Sequence, residues 1–67
     1  MQYSNNDSKD RLMSYANLLF KSCISSNKLE LVPIIEKAKE YLSTNTVAHS
    51  EILKMLNHVN YKLINNS

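Results

Sequence analysis

Three stretches of the chain repeat one spacing of apolar side chains. Leu31, Ile35, Ala38 and Leu42 stand four, three and four residues apart, the interval that stacks side chains on one stripe of an α-helix. Leu12, Ala16, Leu19 and Cys23 repeat it earlier, and Ile52, Leu56, Val59 and Leu63 repeat it later. The residues between the seams do not correspond, so this is no sequence repeat. Each seam is also far too short for a long coiled coil. Three narrow seams can close on one another, so the pattern predicts an all-α fold: a small three-helix bundle, or a helical hairpin plus an N-terminal helix, completed by oligomerisation. The helices are expected at about residues 8–25, 31–43 and 47–64, between a disordered tail at 1–7 and a frayed end at 65–67.

Polar residues punctuate the seams. Asp7 or Ser8 is expected to cap the first helix, with Asp10 placed where a negative charge suits the helix dipole. Asn27 followed by Glu30 resembles a capping box at the start of the second. Pro33 would cost roughly 3 kcal/mol in a helix interior. The expectation is therefore a short turn from Asn27 that leads into a regular helix with Pro33 in its first turn, where the missing amide is harmless. Proline should also hold Val32 away from helical angles. The run Ser43-Thr44-Asn45-Thr46 reads as a turn, with Thr46 the expected cap of the third helix. Tyr41 and Val47 flank that turn and are expected to pack on each other.

Length narrows the possibilities. Sixty-seven residues make one domain, and such a chain buries only about 60% of its unfolded surface, leaving little margin of stability. One cysteine excludes an internal disulfide, and two histidines are too few for a structural zinc site. Oligomerisation is the remaining support. A single cysteine, no signal peptide and no run of 18 apolar residues together lead us to expect a cytoplasmic protein. The net charge of +2 falls well short of the basic footprint that nucleic-acid binding usually needs. Glycine is absent, which disfavours β-hairpins and Gly-rich phosphate loops. Abundant Asn, Lys, Ile and Ser suggest an AT-rich coding sequence and a bacterial, phage or mobile-element origin.

Catalysis has little to build on. Cys23 occupies a seam position, where a small buried thiol is the ordinary occupant. His49 and His58 lie nine residues apart, roughly 180° around an ideal helix, and do not share a metal within one chain. Glu36 and Glu40 are interleaved with Lys37 and Lys39, as on a solvated helix face. No enzyme activity, cofactor, metal or small-molecule substrate is expected. A membrane role is not expected either, since the first helix lacks a Lys/Arg-rich polar face.

What stands out is the width of the first apolar arc. Beyond its seam this helix carries Met13, Tyr15, Leu18, Phe20 and Ile24. A wide arc belongs either to the central element of the core or to a contact surface. On the second reading Met13, Leu18, Phe20 and Ile24 are the partner-binding candidates. The expected function is then a small interaction module (a regulator, adaptor or chaperone) whose partner is itself, as a homodimer, or another protein. The alternative is a DNA-binding regulator, with helices two and three as a helix-turn-helix and Lys54, His58 and Lys62 as phosphate contacts. Against it, the start of the third helix carries Glu51, and the turn lacks the glycine that many such motifs have.

In apolar spacing alone, Ile35 to Val59 is similar to the small enterobacterial biofilm regulators that act as connectors of two-component systems. That resemblance implies association through hydrophobic helix faces. Small type III secretion chaperones with helical-hairpin folds share the pattern equally, and no residue is carried over from either.

Overall fold

The computed structural model describes residues 5–65, with side chains from Ser8 onward. Helix α1 spans Asn5–Ser25, a 3-10 turn follows at Leu29–Leu31, α2 spans Val32–Thr44 and α3 spans His49–Asn65. No strand occurs among the described residues. The chain is thus an all-helical three-helix fold. Residues 1–4, 66 and 67, where disorder and fraying were expected, lie outside the described residues, but Asn5 to Asp7 are already helical. This moves the helix start ahead of the caps expected at Asp7 and Ser8.

The three seams do meet. Eleven of their twelve residues form one buried cluster, and the twelfth, Leu63, packs against it half-buried. Ala16 and Ala38 are wholly buried; a methyl group there lets neighbouring backbones approach closely. Ile35, Leu42, Ile52, Leu56 and Val59 are the largest fully buried aliphatic side chains. Each contributes roughly 1.5–3 kcal/mol on burial, and the nearly buried Leu12, Leu19 and Leu31 add comparable amounts.

Two bonds between α1 and α3 fix their relative direction. Ser8 Oγ lies 2.9 Å from His49 Nδ1, and Tyr15 Oη donates to Asn57 Oδ1 at 2.8 Å. Both join residues about forty positions apart in the same sense, so α1 and α3 run parallel. The return stroke between them is α2, antiparallel to both.

Without glycine, the chain turns its corners on asparagine. Asn27 and Asn45 are the only described residues with positive φ, at 58° and 61°. At the end of α1, Lys28 N–H donates to the Cys23 carbonyl at 2.8 Å and Asn27 N–H to the Ile24 carbonyl at 3.2 Å. This pair of bonds is a Schellman motif with Asn27 in the left-handed position. Asn27 therefore closes α1 and does not cap α2, which corrects the expected capping box; the left-handed geometry tolerates Asn because its short polar side chain costs less there than a bulkier one. Asn45 closes α2 in the simpler way, donating to the Tyr41 carbonyl at 2.9 Å. Replacing Asn27 by Gly should leave the thermal midpoint unchanged or raise it slightly. Replacement by Ala should cost about 1 kcal/mol, and equal midpoints for the two variants would contradict this account.

Entry into α2 follows the expected route through a short turn, with Pro33 in the first turn of the helix. Val32, however, is fully helical at φ −59°, ψ −42°. The steric bias from Pro33 is overcome here: Val32 packs against the core, and its amide is held by the Leu29 carbonyl in the preceding 3-10 turn.

The start of α3 also differs from expectation. The Ala48 carbonyl accepts from Glu51 and Ile52 N–H, at 3.0 and 3.2 Å, so Ala48 and not Thr46 occupies the cap position. Thr46 instead meets the Thr44 hydroxyl at 2.8 Å, and Thr44 reaches back to the Glu40 carbonyl at 3.1 Å. These bonds complete the turn within itself. Tyr41 and Val47 both pack on the core as its lid at this corner.

Candidate functional site

The four candidate contact residues on α1 do not form one surface. At 100° per residue, Leu18 lies roughly 120° or more around the helix from Met13, Phe20 and Ile24. Tyr15 shares the Leu18 side and bonds Asn57 of α3, so this flank faces α3. Phe20 shares the Ile24 side, and Lys39 Nζ of α2 sits 5.6 Å from its ring centre, so that flank faces α2. Exposure divides the four differently. Leu18 is 64% and Ile24 52% exposed, whereas Met13 and Phe20 are partly buried against the core.

Other large apolar residues are exposed on the neighbouring elements. Because α1 and α3 are parallel and paired at Tyr15–Asn57, Leu18 comes level with Asn60 and Tyr61. Tyr61 is 62% exposed, and Leu53 and Ile64 are exposed on the same side of α3. On the other flank, Ile24 stands at the end of α1 beside the 3-10 turn, where Leu29 is 53% exposed. Tyr61, Leu53 and Leu29 were not among the contact candidates expected from the sequence. Their signal was nonetheless present, since each is a large apolar residue outside the four-three-four seams.

Lys54, His58 and Lys62, the nucleic-acid candidates, share one exposed stripe of α3 at four-residue intervals. Lys54 Nζ lies 3.5 Å from Glu51 Oε2 with both side chains largely in solvent, a pair worth little energetically. The acid at the start of α3 is thus part of this same surface.

Cys23 is buried in the core. Burial pushes its thiol up from the ordinary value, and the negative Glu30 adds to the shift. A thiol held protonated in this way reacts slowly, because the thiolate is the nucleophile. Ellman's reagent at neutral pH should label native protein only as fast as the fold opens, and at full rate in denaturant; rapid labelling of the folded chain would contradict the burial. The raised value also links to stability. Above about pH 9 the unfolded thiol ionises while the folded one does not, so the thiol's contribution, intact below that pH, is lost as pH rises further. Wild type should accordingly lose more stability than Cys23→Ala on going from neutral to alkaline pH.

No cluster of three metal-ligating side chains occurs among the described residues, and none of their helices is long and apolar enough to cross a membrane. Comparison with family models, with curated proteins and with solved structures finds no match for the chain.

Proposed function

We propose that this chain is a small protein–protein interaction module that works by presenting apolar helix flanks to another protein chain, as a regulator, adaptor or chaperone. The observation that carries this reading is the set of large apolar side chains left exposed outside the core, Leu18 and Ile24 on α1, Leu29 in the 3-10 turn and Tyr61 on α3. The core is already closed by the three seams, so these residues are not needed to fill it. Single exposed apolar residues are ordinary, but patches shared between elements mark contact sites. An amphipathic helix laid along such a flank would find anchors at helical spacing.

Affinity capture provides the test. Tagged wild type and a tagged Leu18→Asp/Ile24→Asp variant serve as baits in lysate of the source cell that also contains the untagged chain. The reading predicts at least one protein, the untagged chain included, that wild type retains and the variant loses. Identical captures by two folded baits would overturn it.

A further inference from the structure

We draw no further inference here: the strongest candidate, the exposed apolar side chains Leu18 and Ile24 of α1, Leu29 of the 3-10 turn and Tyr61 of α3, carries nothing beyond the proposed function, because nothing in the structure shows what covers them.

Discussion

Truncating Leu56 to Ala is expected to cost about 2–5 kcal/mol of folding stability, the range for deleting a buried leucine side chain. Leu56 lies in the middle of the α3 seam with no exposed surface, and its neighbours Ile52 and Val59 are held by the same close packing. The space it vacates cannot collapse without moving a helix. A chain of this length has a total stability of only about 3–10 kcal/mol, so the loss consumes a large fraction of it. The variant should be partly or wholly unfolded at 37 °C by circular dichroism and show a clearly lower urea midpoint. Leu53→Ala, three positions earlier on the exposed side of the same helix, should stay within about 1 kcal/mol of wild type. Equal effects at the two sites would contradict the assignment of the α3 seam.

Enlarging Ala38 to Leu is the second large effect expected, and it destabilises by overfilling the core instead of emptying it. Ala38 is wholly buried between Ile35 and Leu42 on α2, at a position where a methyl group sets how near the helices approach. Three added carbons have nowhere to go except by pushing α2 outward or into strained rotamers, which typically costs about 1–3 kcal/mol and occasionally more. The urea midpoint should fall while its slope stays close to wild type, the sign of altered stability without altered compactness. The same substitution at Ala48, which is exposed at the start of α3, should shift stability by no more than about 0.5 kcal/mol. A neutral Ala38→Leu would mean that the helices are packed more loosely than this structure shows.

Most of the fold was legible because it depends on a periodic signal. Side chains at four-three-four spacing must share a stripe whatever lies around them, and the residues so spaced are the ones that meet in the core. What was not legible lay at helix ends. Asn27 has the composition of a helix start, and only the backbone shows it in the left-handed position that ends α1. Residues that favour caps also favour left-handed corners, and one sequence cannot separate those uses. Thr46 failed as a cap for a related reason, since the hydroxyl of Thr44 two residues away offered it a nearer partner. Val32 took helical angles despite Pro33 because contact with the core outweighed a local steric preference.

The proposed contact residues were legible only by residue type. Leu18 and Ile24 were recognisable as apolar side chains off the seam, but their division between two flanks depends on which helix packs on which side. That arrangement shows in the Tyr15–Asn57 bond and the Lys39–Phe20 contact, between residues on different helices. Tyr61 is harder to recognise by type, since a tyrosine suits an aqueous surface and an apolar contact equally well.

The central proposal is that apolar side chains left exposed on α1 contact another protein chain. Affinity capture with the wild-type and Leu18→Asp/Ile24→Asp baits tests it most directly. The account predicts at least one protein, the untagged chain included, that wild type retains and the folded variant loses. Identical captures by the two folded baits would contradict it.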